Sequence, residues 1–264
     1  MSAPIDWTGL TESIARAERD GCVVGLAAIA PSGERFSHNG NRRFVAASTV
    51  KIAIMIELFR KIDAGTLSLG QRHKLLAEDK ATGGGVVLHL HDGIELTLGD
   101  LVYLMMSISD NTSTNVLIDY TGMAEVNATM QRLGMANSVL GRKMRGRPVI
   151  AGETENWAAP DEYAQLIAAL LNNQAASPQA CSQMVALLEK QQNDRRIARY
   201  LPKQDRPRWG TKTGTLPGAV NDVGFIMTAR GPLILSVYCE KPADPLAGEQ
   251  IIGDIARAAL AAVS

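Results

Sequence analysis

Residues 48–65 read STVKIAIMIELFRKIDAG. Apolar residues fill nearly every position from Ile52 to Leu58, which predicts a helix that is buried on almost all sides. Gly65 ends the pattern, as glycine commonly does just after a helix. Ser48 opens this helix, and Lys51 follows one turn later on the same face. The stretch therefore predicts a buried helix that carries a hydroxyl and an amine at its start.

The segments on either side of this helix predict strands at both ends of the chain. β-like runs occur at 22–30, in a shorter strand that ends near Phe36, and in three further strands within 206–240. Helical patterns occur at 7–20, 97–108, 112–120, 124–133, 160–172, 178–190 and 246–262. We predict an α/β (α+β) fold in which an antiparallel five-stranded sheet is flanked by the N- and C-terminal helices. Residues 1–48 and 206–264 would form the sheet subdomain, and 49–205 an inserted all-helical subdomain.

Composition excludes several classes of protein. The 264 residues contain 27 Lys plus Arg and 27 Asp plus Glu, so the formal net charge is zero. A neutral chain has no electrostatic footprint for nucleic acid or for a membrane surface, and we predict neither partner. No apolar run approaches the ~20 residues of a bilayer span. The first 21 residues lack the apolar core of a secretion signal, which predicts a cytoplasmic protein, or a periplasmic one if a leader was removed. The oligomeric state stays open.

Three short strings carry the chemistry. They are Ser48-Thr49-Val50-Lys51, Ser109-Asp110-Asn111 and Lys212-Thr213-Gly214. Ser48 lies at the positive end of its predicted helix, where a developing anion is favoured. A desolvated lysine such as Lys51 has a lowered pKa and can act as the base of a serine nucleophile. If only this pair is considered, the alternative to a catalytic role is that Ser48 caps the helix and Lys51 is a surface residue.

The other two strings predict groups that bind a substrate. Lys212 supplies a point charge for a carboxylate, and the adjacent glycine permits a close backbone approach. Thr213 and Thr215 offer hydroxyls along the same strand edge. Ser109 and Asn111 lie between two predicted helices and can project into a cleft. The alternatives are a glycine bulge beside a solvated lysine, and a pair of helix caps.

Together and in this order, the three strings resemble those of class A β-lactamase-like serine hydrolases, within the wider penicillin-recognising group. The resemblance covers about residues 8–262 and includes Asn115 in SDNTSTN and the Pro160-Asp161 pair. It implies a β-lactamase/transpeptidase-like fold that forms one catalytic domain. By this resemblance, Ser48 is the acylated nucleophile and Lys51 is its activating partner.

The resemblance also assigns the remaining site residues. Ser109 would relay a proton to the leaving nitrogen, and Asn111 would hold the amide side chain of the substrate. Lys212, Thr213 and Thr215 would bind a carboxylate, with Gly214 beside the substrate. The backbone N–H groups of Ser48 and Thr215 would form the oxyanion hole.

One expected residue is missing. Class A enzymes carry a glutamate, followed four residues later by an asparagine, in a loop after the SDN string, and that glutamate activates the deacylating water. The corresponding stretch here reads LGRKMRGRPVIAGETENWAAP, and Met144 falls near the expected position. Glu153 and Glu155 come about ten residues later; one of them is a possible substitute base, and a solvated loop carboxylate is the alternative. Four cations cluster in the same loop: Arg142, Lys143, Arg145 and Arg147.

We therefore predict a serine hydrolase that cleaves an amide bond, in a lactam or a small peptide-like substrate, through a Ser48 acyl-enzyme. The substrate would be a small molecule bearing a carboxylate, and the cationic loop favours an extra anionic group unless it is only a solvated face. The alternatives are a conventional β-lactamase, an esterase, and a sensor that β-lactams acylate without turnover. We predict no cofactor and no metal, since the His89-Leu90-His91 pair lacks an identifiable third ligand.

Overall fold

The computed structural model describes residues 4–264. In this part of the chain the α-helices are α1 (Thr8–Arg19), α2 (Lys51–Asp63), α3 (Leu98–Ser107), α4 (Asn111–Thr121), α5 (Met123–Arg132), α6 (Pro160–Leu171), α7 (Pro178–Leu188) and α8 (Pro245–Val263). The strands are β1 (Val23–Ile29), β2 (Arg35–His38), β3 (Phe44–Val45), β4 (Arg72–Lys74), β5 (Glu95–Thr97), β6 (Trp157–Ala158), β7 (Trp209–Leu216), β8 (Ala219–Thr228) and β9 (Gly231–Glu240).

Five of these strands form one antiparallel sheet in the order β2-β1-β9-β8-β7. Alternate residues of each central strand belong to different apolar clusters, because successive side chains point to opposite faces. In β9, Leu235 and Val237 join the cluster of α1 and α8, whereas Ile234 and Tyr238 join the cluster that includes α2 and α6. The sheet is thus buried on both faces, with the terminal helices on one of them.

The predicted antiparallel sheet with terminal helices on one face is confirmed. The two-stranded pairs β3–β6 and β4–β5 were not predicted, because strands of two or three residues are too short to show an alternating pattern. The strand predicted to end near Phe36 runs on to His38. Helix α6, from the predicted helical subdomain, packs directly on β1 and β9 of the sheet. The proposed division at residues 48/49 and 205/206 stays a prediction.

The helix predicted to begin at Ser48 is interrupted at its start. A 3-10 helix over Ala47–Val50 precedes α2, which begins at Lys51. The cause is local, since the backbone N–H of Thr49 and its hydroxyl both donate to the carbonyl of Ala46, three residues back. Ser48 therefore lies on a tight turn directly before a buried helix. In residues 4–264, none of the helices is both long enough and apolar enough to cross a membrane.

Candidate active site

Ser48 lies half-buried at the wall of a cleft of about 360 Å³. The residue before it, Ala47, has φ 47°, a left-handed conformation that is uncommon for a residue with a side chain. Such strain persists where the surrounding structure imposes it, and it is frequent at functional sites. Among residues 4–264, no hydrogen bond joins Ser48 Oγ to Lys51 or to a backbone group, so Ser48 is not a helix cap here.

Lys51 is completely buried, so the alternative of a surface lysine is wrong. Its Nζ donates to the carbonyl oxygen of Ser109 (2.7 Å), meets Ser109 Oγ (3.0 Å) and donates to Asn111 Oδ1 (2.9 Å). Burial lowers the pKa of Lys51 well below its usual range; nearby Lys212 lowers it further, and Asp110 opposes the shift. An amine with a lowered pKa can hold a lone pair near neutral pH.

The turn between α3 and α4 presents the oxygens that surround this amine. Ser109 has φ 61°, which turns its carbonyl toward Lys51. Asp110 is fully buried and caps α4, since its carboxylate accepts hydrogen bonds from the backbone N–H groups of Ser113, Val86 and Val87. Asp110 of the Ser109-Asp110-Asn111 string therefore caps a helix, as the alternative reading predicted, and Ser109 also lines a cleft.

The side-chain amide of Asn111 is held in one orientation. Its Oδ1 accepts from Lys51, and its Nδ2 donates to the carbonyl oxygen of Thr82 (2.9 Å). Since a carboxamide nitrogen carries two hydrogens, one N–H remains for a ligand. Asn111 and Ser48 line the same cleft.

Strand β7 passes directly beside the serine, and Gly214 makes this possible. A Cβ at Gly214 would lie 2.9 Å from the carbonyl oxygen of Ala46 and 3.1 Å from the backbone nitrogen of Ser48. The sequence predicted that this glycine admits a substrate; in the structure it first admits the turn that carries Ser48. Asn221 on β8 holds the same segment, since its Nδ2 donates to the Val45 carbonyl (2.8 Å).

Lys212 is the second fully buried lysine. Its Nζ donates to the carbonyl oxygen of Thr213 (3.0 Å). Burial lowers the pKa of Lys212 to about 7; Asp222 opposes this shift and Arg196 adds to it. Burial also raises the pKa of Asp222 to about 6. Lys212 on β7 and Asp222 on β8 are therefore a buried amine and a buried carboxyl close to one another.

Arg196 was missed by the sequence analysis, because a single arginine in a loop of mixed polar residues gives no signal. It is 3% exposed and reaches across the end of β7. Its Nη1 donates to the carbonyls of Gly214 (2.9 Å) and Asn221 (2.7 Å), and its Nη2 donates to Thr215 Oγ1 (2.6 Å). It is partly balanced by Glu249 at 3.4 Å. Arg196 thus holds the Gly214 carbonyl and the Thr215 hydroxyl, which lie on either side of the backbone N–H predicted to bind the oxyanion.

Met144 is buried and lines the cleft of Ser48. Both backbone groups of Met144 are bound by the Asn115 side chain: its N–H donates to Oδ1 (2.8 Å) and its carbonyl accepts from Nδ2 (3.0 Å). An apolar side chain is therefore fixed at the place where the sequence comparison expected a carboxylate.

The two candidate substitute bases are both engaged by arginines. Glu153 accepts from Arg145 (2.9 Å) and from both terminal nitrogens of Arg147 (2.8 Å each), which holds the pKa of Glu153 at about 2. Glu155 lines the cleft but is nearly buried against Arg142, with two contacts of 3.1 Å. The structure therefore brings Glu155 to the cleft of Ser48, where it is a partner in an ion pair.

The predicted groups lie around two adjoining clefts. Ser48, Asn111 and Thr215 line the first, and Ser109 and Thr213 line the second. Among the described residues, no group of three or more His, Cys, Asp or Glu side chains is placed to hold a metal ion.

A serine at a strained turn, a buried lysine and a sheet edge beside them define a serine hydrolase with the penicillin-recognising fold. The chain belongs to the beta-lactamase enzyme family, whose model matches residues 10–263. The predicted class A β-lactamase-like serine hydrolase and its fold are thereby confirmed.

Individual relatives agree with this result. A solved structure of a beta-lactamase from Sphaerobacter thermophilus is 57% identical, covers 98% of each chain and has a TM-score of 0.97. A mutant of a reconstructed class A beta-lactamase, the last common ancestor of Gram-negative bacteria, is 28% identical, covers 96% of this chain and 98% of its own, and has a TM-score of 0.88. Beta-lactamase BRO-1 of Moraxella catarrhalis is 28% identical over 229 residues, which are 84% of this chain and 71% of the relative.

The pKa of Lys212 predicts a pH dependence of stability. Lys212 titrates near pH 7 in the folded chain and near 10.5 when unfolded, so the unfolded chain binds more protons between these values. The free energy of unfolding should rise with pH in this window, by up to about 1.4 kcal/mol per pH unit from this group. Urea unfolding of Lys212→Met should show a shallower slope from pH 7 to 10 than wild type. Equal slopes would show that Lys212 is not held neutral.

Proposed function

We propose that the chain cleaves the C–N bond of a lactam or small amide through an acyl-enzyme on Ser48, and that it hydrolyses β-lactam acyl-enzymes slowly. One observation carries this proposal: the cleft holds a serine beside a buried amine, but the facing loop presents Met144 and no free carboxylate. The residues proposed for acylation, Ser48, Lys51 and Ser109, are all present, whereas Met144 occupies the position at which the resemblance implies the deacylating glutamate.

In the acylation step, Ser48 Oγ attacks the carbonyl carbon and its proton passes to the neutral amine of Lys51. Ser109 Oγ, 3.0 Å from that amine, then delivers the proton to the leaving nitrogen as the C–N bond breaks. The contact supports this relay, because a neutral Lys51 can donate to the two carbonyl oxygens and accept from the Ser109 hydroxyl. Water subsequently cleaves the serine ester.

The backbone N–H groups of Ser48 and Thr215 would receive the oxyanion. The close packing of Gly214 on the Ser48 turn supports this assignment, since it draws the end of β7 to the serine. Such donors stabilise the transition state strongly, and removal of one typically costs about 3–4 kcal/mol. Arg196 would act as a positioning residue, because it holds Thr215 Oγ1 and the Gly214 carbonyl.

The carboxylate of the substrate would bind at Lys212, Thr213 and Thr215. The buried cations Lys212 and Arg196 support this assignment, since Lys212 lies within β7 and Arg196 donates to Thr215 Oγ1 at 2.6 Å. The remaining N–H of Asn111 would bind the amide carbonyl of the acyl group. An amidase or esterase with small substrates fits the same arrangement, because both reactions form the same acyl-enzyme.

The acyl-enzyme should accumulate when the protein meets benzylpenicillin. Intact-protein mass spectrometry should show one adduct on wild type that persists for minutes, because deacylation is slow, and none on Ser48→Ala. Steady hydrolysis at ~1–1000 per second without an adduct would instead identify a conventional β-lactamase. An adduct that never clears, with no turnover of amides or esters, would identify a sensor. The absence of any adduct and of any hydrolysis would reject the proposal.

The second candidate function is a conventional β-lactamase that uses Glu155, and it rests on the position of Glu155 in the cleft of Ser48. Glu155→Gln tests it, with Glu153→Gln as the control in the same loop. If Glu155 were the base, deacylation would fall by about 10²–10⁴-fold while acylation continued. We expect both variants to deacylate within about threefold of wild type, after correction for the folded fraction, because both carboxylates are held by arginines.

A carboxylate at position 144 should restore rapid deacylation. Asn115 binds the backbone of Met144 through both of its amide atoms, so a new side chain would enter the cleft from a fixed position. Met144→Glu should raise the rate of penicillin hydrolysis by about 100-fold, the lower end of general-base effects. Met144→Gln has nearly the same shape and no base, so it should remain slow. Equal acceleration in both variants would show that space for water, and not a base, limits the reaction.

A further inference from the structure

Basic side chains dominate one part of the cleft that holds Ser48. Four of the lining residues are cationic, and Glu155 is the one acidic residue among those that line it. The cations are Arg142, Lys143, Arg145 and Arg147. A net charge of zero for the whole chain therefore conceals a local cluster of basic residues next to the reactive serine.

Most of these cations are neutralised by protein carboxylates. Arg142 forms a two-contact ion pair with Glu155, and its side chain is only 10% exposed. Lys143 pairs with Asp119 at 2.6 Å. These two basic residues therefore have one carboxylate each.

Arg145 and Arg147 share the single carboxylate of Glu153, so one positive charge is left over. Arg147 donates to both oxygens of Glu153, whereas Arg145 reaches it only through Nη1. Within residues 4–264, no protein acceptor binds the Nε or Nη2 of Arg145, whose side chain is 55% exposed. This free edge of the guanidinium matches a carboxylate with two parallel hydrogen bonds.

The backbone at Arg145 is fixed relative to the site. Asn115 holds the preceding residue, and the carbonyl of Arg145 accepts a 3.4 Å contact from Thr82 Oγ1. The next residue, Gly146, packs on Gly83, since a Cβ at Gly146 would lie 2.2 Å from the Gly83 Cα. A Cβ at Gly83 would in turn lie 3.1 Å from Asn111 Nδ2. Arg145 is thus on the Asn111 side of Ser48, where the acyl group would lie.

We propose that Arg145 forms an anion-binding subsite for the acyl group of the substrate. The substrate would then carry two acidic groups: one carboxylate at Lys212, Thr213 and Thr215, and a second on its acyl side chain at Arg145. This inference rests on the proposed function, because acylation of Ser48 defines which part of the substrate is the acyl group.

Carbenicillin and benzylpenicillin test the proposal, because they differ by one carboxylate on the acyl side chain. The measurement is the second-order rate constant for acylation of Ser48 by each compound, followed by intact-protein mass spectrometry. The ratio of carbenicillin to benzylpenicillin should be about fivefold in favour of carbenicillin at low salt, the effect of a charge pair about 4 Å apart in water. The ratio should fall toward one in 1 M NaCl, where the screening length is about 3 Å.

Arg145→Gln should remove most of this preference, and Arg208→Gln is the matched control. Arg208 is an exposed arginine paired with Glu189 at the opposite end of β7, so its variant should keep the wild-type ratio. A wild-type ratio of one or less, or a ratio that Arg145→Gln leaves intact, would overturn the subsite while acylation by benzylpenicillin still supported the proposed function. Failure of both penicillins to acylate Ser48 would reject the proposed function and this inference with it.

Discussion

The amine of Lys51 is completely buried, and the conformation of the turn before α4 depends on it. Burial of an ammonium group is unfavourable by several kcal/mol unless it is paired or loses its proton. Here two oxygens of Ser109 and one of Asn111 surround the nitrogen. These oxygens reach it only because Ser109 adopts a left-handed conformation and buried Asp110 caps the helix that follows. The lysine thus constrains the backbone of the turn that forms the opposite wall of the site.

A second constraint comes from the edge of the sheet. Gly214 lets β7 approach the turn of Ser48 closely, and Arg196 binds the carbonyls of Gly214 and of its partner on β8, Asn221. These interactions lie next to the backbone N–H groups of Ser48 and Thr215, for which we propose the role of oxyanion hole. Burial lowers the pKa of Lys212, and the same arginine lowers it further. We propose that the carboxylate of the substrate binds beside these two cations.

The sequence predicted the sheet and its helices, because these produce long periodic patterns. The rare combination of three motifs carried the family resemblance, which implied that they form one site. The sequence did not predict Arg196 or Asp222, which no local pattern separates from other charged residues. It also did not predict that Gly214 packs on the turn that carries Ser48. The 3-10 turn at Ser48 depends on the two hydrogen bonds from Thr49 to the Ala46 carbonyl, which leave no periodic signature in the sequence. Long elements were therefore predictable, whereas ion pairs and strained turns required the tertiary structure.

In the loop between Gly141 and Glu155, the carboxylate of Glu155 holds the loop in place through its ion pair with Arg142, and this role conflicts with that of a general base. Glu155 accepts from Nε and Nη2 of Arg142 and from the backbone N–H of Asn156, so both of its oxygens already bind protein donors. To take a proton from water, it would have to weaken its bond to an arginine that is 10% exposed. Breaking a buried pair costs about 3–5 kcal/mol, which corresponds to roughly 10²–10⁴ in rate. A carboxylate that anchors the loop in this way is therefore a poor base, and we propose that the side chain at position 144, whose backbone is fixed by Asn115, controls deacylation instead.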